Sequence, residues 1–206
     1  MKEIRLISYL HIRRIIGWLG ITLSLVLWLG NFITAHISTV KPSISHYYYS
    51  SMGDVFVGML FTNAFFLYSY KGFDKTDNII TNLAALFAVI TALCPTTPEN
   101  AKAIYTGQIH LFSAGLFFIT LAIYSLFWFT KSGEEKTMRK IYRNKIYRSC
   151  GVIMILCITI IGVFIVIDSD TINSYHTTFW LETVALCAFG TSWLVKGGTI
   201  LTDEIK

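Results

Sequence analysis

Six polar side chains that could bind a ligand or transfer a proton lie within or beside strongly apolar segments of this sequence. They are Asp54, His110, Ser113, His176, Glu182 and His46. An ionisable group inside an apolar segment is costly to bury, so it has to be paired, reach water or serve a function. Glu182 lies deepest, about 9 Å along a helix axis from His176 at a rise of about 1.5 Å per residue. We therefore predict that these residues line a ligand site.

The residue types allow more than one chemistry. Carboxylate and imidazole groups are normal zinc ligands, which makes His110, Asp54 and Glu182 candidate ligands of a divalent metal cofactor. The same groups could act as acid and base on a lipid head group, or fix helix register through hydrogen bonds. The sequence contains no H-x-x-x-H pair, G-x-S-x-G elbow, Walker loop or dinucleotide fingerprint. Both the cofactor and any enzymatic activity therefore stay open.

Six apolar segments must position these side chains. Of the 206 residues, 54% are apolar and 14% are charged, and the charges cluster between apolar runs long enough to cross a bilayer. This pattern predicts an all-α, polytopic membrane protein, a bundle of six transmembrane helices in a single domain over residues 1–206. The predicted spans are approximately 15–33, 54–70, 79–95, 107–129, 150–167 and 177–195. The small residues Ala84 and Ala88, one turn apart, are predicted to pack between spans.

The distribution of basic residues predicts the orientation. With the N-terminus inside, fifteen of the seventeen Lys and Arg residues lie in inner segments, and only Lys41 and Lys102 lie outside. This bias predicts cytoplasmic N- and C-termini and a multi-pass protein of the cell membrane, most simply the bacterial cytoplasmic membrane. Topology accounts for the net charge of +5, so we expect membrane lipids rather than nucleic acid as partners. A homo-oligomer is compatible with the sequence.

The predicted first outer loop, KPSISHYYYSSMGD over residues 41–54, has a distinctive composition. Pro42, Gly53 and several serines predict an ordered re-entrant loop that could cover the mouth of an outer cavity. Its three consecutive tyrosines are predicted to lie at the level of the lipid head groups.

Three local patterns carry a resemblance to a known family. They are Pro42-Ser43-Ile44-Ser45; the segment GQIHLFSAGLFFITLAIYSLFWF with His110, Ala114-Gly115, Phe118 and Tyr124; and Glu182. The chain resembles the Frag/DRAM/Sfk group of six-span membrane proteins, whose corresponding patterns are a P-x-I-S stretch, an H-x-x-G-A-x-x-x-F run and a Glu-Trp pair. It also resembles bacterial six-span proteins of unknown function that look related to that group. The order Ala-Gly, and Thr183 after Glu182, depart from that pattern.

The Frag/DRAM/Sfk group includes autophagy modulators and a factor in GPI-anchor lipid remodelling. The resemblance implies lipid-related work in the membrane, with His110 and Glu182 as functional positions. The residues favour a polar cavity that opens to the outer face and binds a lipid head group or small ligand. Two alternatives stay open: a membrane-embedded lipid hydrolase or transferase that uses a metal or a His–Glu pair, and an oligomeric channel or proton-coupled transporter.

Overall fold

A computed structural model of the chain describes residues 2–72, 74–131, 137–167 and 176–201. Within these ranges the regular structure is entirely helical, as predicted. The α-helices are α1 Lys2–Ala35, α2 Gly53–Ser69, α3 Lys75–Leu93, α4 Tyr105–Ile123, α5 Met138–Ile167 and α6 Thr177–Lys196. A 3₁₀ helix, Ile44–Tyr49, lies between α1 and α2, and a π-helical turn, Tyr124–Trp128, continues α4.

Five segments of the described chain are long and apolar enough to cross a membrane, which indicates a multi-pass membrane protein. They are Tyr9–Ala35, Lys75–Leu93, Tyr105–Trp128, Met138–Ile167 and Thr177–Lys196. Helix α2, which corresponds to the predicted span 54–70, is not among these five segments and has 17 residues. Helix α5 begins at Met138, twelve residues before the predicted span. The basic segment before that span therefore continues as helix, because it contains good helix formers and neither Gly nor Pro.

The helices form a closed ring. Each helix packs against the next in chain order, and α6 packs against α1. At one end of the ring, the Arg14 guanidinium donates to the Gly197 carbonyl over 2.9 Å, and Lys131 pairs with Asp74 over 2.9 Å. We call this the basic end. The connections 36–52 and 94–104 lie together at the opposite end, which we call the loop end.

Small residues allow the first and last helices to meet closely. A Cβ atom added to Gly17 would lie 2.8 Å from the Gly190 carbonyl oxygen, and one added to Gly190 would collide with the Gly17 carbonyl oxygen. Glycine at these positions lets the two backbones approach, as small residues do between transmembrane helices. Ala84 and Ala88 of α3 are at most 1% exposed, in agreement with their predicted role in packing.

An aromatic cluster fills the interior at the basic end. Its five side chains are at most 2% exposed: Tyr70, Tyr124, Phe129, Tyr147 and Trp193. Neighbouring ring centroids lie 4.9–6.5 Å apart, within the range of favourable aromatic contacts. The π-helical turn supplies Tyr124 to this cluster. The cluster closes the interior of the ring at this end.

The tyrosine run of the first connection does not behave uniformly. Tyr49 is 45% exposed, but Tyr47 is completely buried, 6.2 Å from the Phe179 ring. The head-group level of the three tyrosines is a depth in the membrane and stays a prediction, whereas Tyr47 packs into the protein interior. The 3₁₀ helix turns Ile44 and Tyr47 inward together because residues three apart lie on the same side of such a helix.

Candidate functional site

A cavity of about 550 Å³ opens at the loop end. It lies among the two connections and the nearby ends of α4, α5 and α6. Its side chains with hydrogen-bonding or ionisable groups include Ser43, Ser45, His46, Thr97, Glu99, His110 and Glu182. Three of the six predicted site residues, His46, His110 and Glu182, thus face one space, although they are far apart in sequence.

Helix α6 holds the first connection over this cavity. The Phe179 N–H donates to the Pro42 carbonyl over 3.1 Å, and the Ile44 N–H donates to Glu182 Oε2 over 2.6 Å. The second contact is a charge-assisted hydrogen bond when Glu182 is ionised. It satisfies the first amide of the 3₁₀ helix, which has no partner within its own turn. Glu182 therefore anchors the connection and also presents a carboxylate to the cavity.

His110 holds the next residue of the same connection. Its Nδ1 lies 2.7 Å from the Cys94 carbonyl oxygen, and its Nε2 lies 2.7 Å from Ser45 Oγ. A carbonyl oxygen can only accept, so Nδ1 carries the hydrogen. In the neutral ring Nε2 is then an acceptor, and the Ser45 hydroxyl donates to it. His110 is 2% exposed, whereas its partner Ser45 is only partly buried.

A second serine–histidine contact lies nearer the surface. His46 Nδ1 is 2.6 Å from Ser43 Oγ, and Lys41 pairs with Glu99 over 3.0 Å across the two connections. Burial lowers the pKa of His46 below its ordinary value; Glu99 opposes this shift and Lys41 adds to it. The neutral form of His46 is therefore favoured at the cavity.

An apolar groove of about 330 Å³ continues from this cavity between α4 and α5. Leu111, Ala114 and Glu182 line both spaces. A Cβ atom added to Gly115 of α4 or Gly162 of α5 would meet no atom within 4 Å, so the helices are separated there. Nearer the basic end, a Cβ on Gly151 would collide with Leu126, so the same helices are in tight contact. The groove thus occupies the half of the bundle nearest the loop end.

The other three predicted site residues do not line the cavity. Asp54 is exposed in the first turn of α2, beside the outward-facing Val55, because the core face of that helix carries Phe56 and Leu60. Ser113 is buried; its hydroxyl donates to the His110 carbonyl over 2.9 Å and lies 3.0 Å from Thr91 Oγ1.

His176 immediately precedes α6 with a left-handed backbone, φ 51°. Its Nδ1 is buried and has no hydrogen-bond partner among the described residues. The adjacent residues Thr177 and Thr178 line the cavity, whereas His176 lies just outside it.

Asp54, His110 and Glu182 do not form a metal site in this arrangement. Within the described ranges, no group of three His, Cys, Asp or Glu side chains is placed to hold an ion. His110 and Glu182 are linked through the adjacent residues Ser45 and Ile44 of the first connection. The predicted His–Glu pair thus appears as two anchors of one loop.

Ser45 is the functional candidate that the site prediction omitted. The alternating serines of Pro42-Ser43-Ile44-Ser45 were the available signal, since each bonds to a histidine in the folded chain. Comparison of the chain with family models, with curated proteins and with solved structures gives no match. The functional assignment consequently rests on the geometry of the cavity and groove.

Proposed function

We propose that this protein binds an amphipathic lipid, with the head group in the loop-end cavity and an acyl chain in the groove between α4 and α5. The observation that supports this most strongly is the continuity of the two spaces at Leu111, Ala114 and Glu182. Volumes of about 550 and 330 Å³ fall within the range of about 300–1,000 Å³ typical of ligand sites.

The chemistry of the two spaces matches the two parts of a lipid. Hydroxyl, imidazole and carboxylate groups face the cavity, whereas apolar side chains and Gly115 and Gly162 border the groove, with Glu182 at their junction. Because the α4–α5 groove lies on the outside of the ring, a lipid can enter it sideways from the bilayer. Its chain then stays in apolar surroundings while its head group reaches the polar groups.

In this proposal α2 also crosses the membrane, which brings the number of spans to six. The loop end faces the outside of a bacterial cytoplasmic membrane. Seventeen residues lie at the lower limit of about 17–25 for a crossing helix. The excess of Lys and Arg at the basic end supports a cytoplasmic location for that end and for both termini. The resemblance to the Frag/DRAM/Sfk group remains a hypothesis consistent with this orientation.

The structure favours a binding site over a pore through one protomer. The buried aromatic cluster at the basic end, which includes Tyr70, Tyr124 and Trp193, occupies the interior below the cavity. A channel or proton-coupled transporter would need a path past these packed rings or a pore between protomers. Lipid binding requires neither.

Lipid retention in purified protein tests the proposal. We expect native mass spectrometry of the nanodisc-reconstituted wild type, after release into detergent, to show one retained lipid per chain. Gly162→Phe should fill the groove and reduce retention at least tenfold. Gly58→Phe in α2 is the matched control, because a Cβ at either glycine meets no atom within 4 Å and both positions are exposed. Equal retention by the two variants would contradict binding in the groove.

A further inference from the structure

We propose that Ser45 is a nucleophile activated by His110, and that it accepts an acyl group from an ester-linked lipid bound in the cavity. This inference rests on the proposed lipid site and adds a reaction to it. The residues that carry it belong to three separate parts of the chain: Ser45 in the 3₁₀ helix, His110 in α4 and Cys94 at the end of α3.

The three groups have the relationship that an activated hydroxyl requires. Ser45 Oγ lies 2.7 Å from His110 Nε2, and His110 Nδ1 lies 2.7 Å from the Cys94 carbonyl oxygen. A nucleophile, a base within hydrogen-bond reach and a third group that orients the base form the general pattern of serine activation. The backbone carbonyl fixes the tautomer in which Nε2 can receive the hydroxyl proton.

The other hydroxyls near the two histidines differ from Ser45. Ser113 is buried and donates to the His110 carbonyl, so its proton is not directed to the imidazole ring. Ser43 contacts His46 Nδ1, but Ser43 itself is 6% exposed. Ser45 is only partly buried and lines the cavity together with His110. Ser45 therefore combines access with a base whose tautomer is fixed.

The shape of the site indicates an acyl ester as the substrate class. A lipid with its chain between Gly115 and Gly162 and its head group among the polar side chains would place the linkage between them near the mouth of the groove. In a lipid whose acyl chain is ester-linked, the ester group would therefore lie at the mouth of the groove. Ala114 and Glu182, which line both spaces, mark this junction.

The reaction would proceed in two balanced steps. Ser45 Oγ attacks the ester carbonyl carbon while His110 Nε2 takes the hydroxyl proton. The bond between that carbon and the alcohol oxygen breaks, and the alcohol leaves with the proton from His110, so Ser45 carries the acyl group. Water or the hydroxyl of a second lipid then attacks the acyl-serine and gives its proton to His110. The acyl group leaves, and the proton returns to Ser45 Oγ.

A fluorophosphonate probe tests the nucleophile directly, since its phosphorus bonds to an activated serine oxygen with loss of fluoride. We expect the nanodisc-reconstituted wild type to gain one adduct per chain, which peptide mass spectrometry places on Ser45. Ser45→Ala should abolish labelling. His110→Gln should slow it by about 10²-fold or more, in line with the contribution of a general base. Ser51→Ala, the matched control from the same connection, removes an exposed hydroxyl that does not line the cavity and should label at the wild-type rate.

A second measurement covers the case in which a variant misfolds. Wild-type protein mixed with p-nitrophenyl octanoate should release a burst of one p-nitrophenolate per chain, because this activated ester acylates Ser45 faster than water removes the acyl group. Absence of both the adduct and the burst in wild-type protein that retains lipid would overturn the reaction and leave lipid binding intact. An adduct on any serine other than Ser45 would also overturn it. Labelling of Ser45 in protein that never retains lipid would overturn the lipid site alone.

Discussion

Removal of the Glu182 carboxylate should release the first connection from α6. Glu182 Oε2 accepts the Ile44 N–H over 2.6 Å, and the two residues are separated by 138 positions in the chain. When Glu182 is ionised, this is a hydrogen bond to a charged group, which contributes about 1.5–3 kcal/mol to the free energy of unfolding. In Glu182→Ala the Ile44 amide loses its acceptor, so we expect a loss of that size at a pH at which Glu182 is ionised in the wild type.

The loss converts to a measurable shift. At about 2–4 °C per kcal/mol for a chain of this length, Glu182→Ala should lower the melting temperature in detergent by about 3–12 °C. Glu182→Gln keeps a neutral oxygen as acceptor and should lose roughly half as much, because charge-assisted bonds are about twice as strong as neutral ones. The Ile44 amide should exchange its hydrogen about ten- to hundredfold faster in Glu182→Ala, since its local opening becomes easier.

Glu99→Ala is the control for the general loss of a carboxylate at the loop end. Glu99 pairs with Lys41 across partly exposed side chains, and such pairs contribute about 0–1 kcal/mol. The melting temperature of Glu99→Ala should stay within about 4 °C of that of the wild type. The reasoning is refuted if Glu182→Ala and Glu99→Ala have the same melting temperature and the Ile44 amide exchanges at its wild-type rate in both.

Two further changes test other parts of the structure. Burial lowers the pKa of His46 below 6.5, so the unfolded chain takes up this proton first as the pH falls, and stability present above about pH 6.5 should be lost below it. The melting temperature should therefore fall further between about pH 7.5 and 5 in the wild type than in His46→Gln. Equal falls in the two proteins would rule out this role of His46. Gly190→Ala pushes a Cβ into the Gly17 carbonyl and should cost about 1–3 kcal/mol. Gly58→Ala, with open space around its Cβ, should leave stability equal or up to about 1 kcal/mol higher, and thermal unfolding that ranks these two variants alike would exclude the close α1–α6 contact.

The sequence predicted the helices well and the site only in part. Apolar runs located the six α-helices of the described ranges, because a helix in a membrane satisfies its own backbone and needs only enough consecutive apolar residues. His46, His110 and Glu182, all predicted near one membrane face, line the same cavity, and their role in a ligand site stays a prediction. Asp54 was predicted there by the same logic, but depth in the membrane does not determine which way a side chain points.

Local sequence thus determined the helical class, the approximate positions of the helices and the segregation of basic residues, because hydropathy and helix formation depend on residues close together in the chain. Tertiary structure alone decided that Tyr47 is buried, that Asp54 faces outward and that Ser45 reaches the His110 ring. Each of these outcomes depends on how a helix is rotated about its axis and how a loop is folded over its neighbours. Contacts between residues tens of positions apart fix those rotations, and no local pattern encodes them.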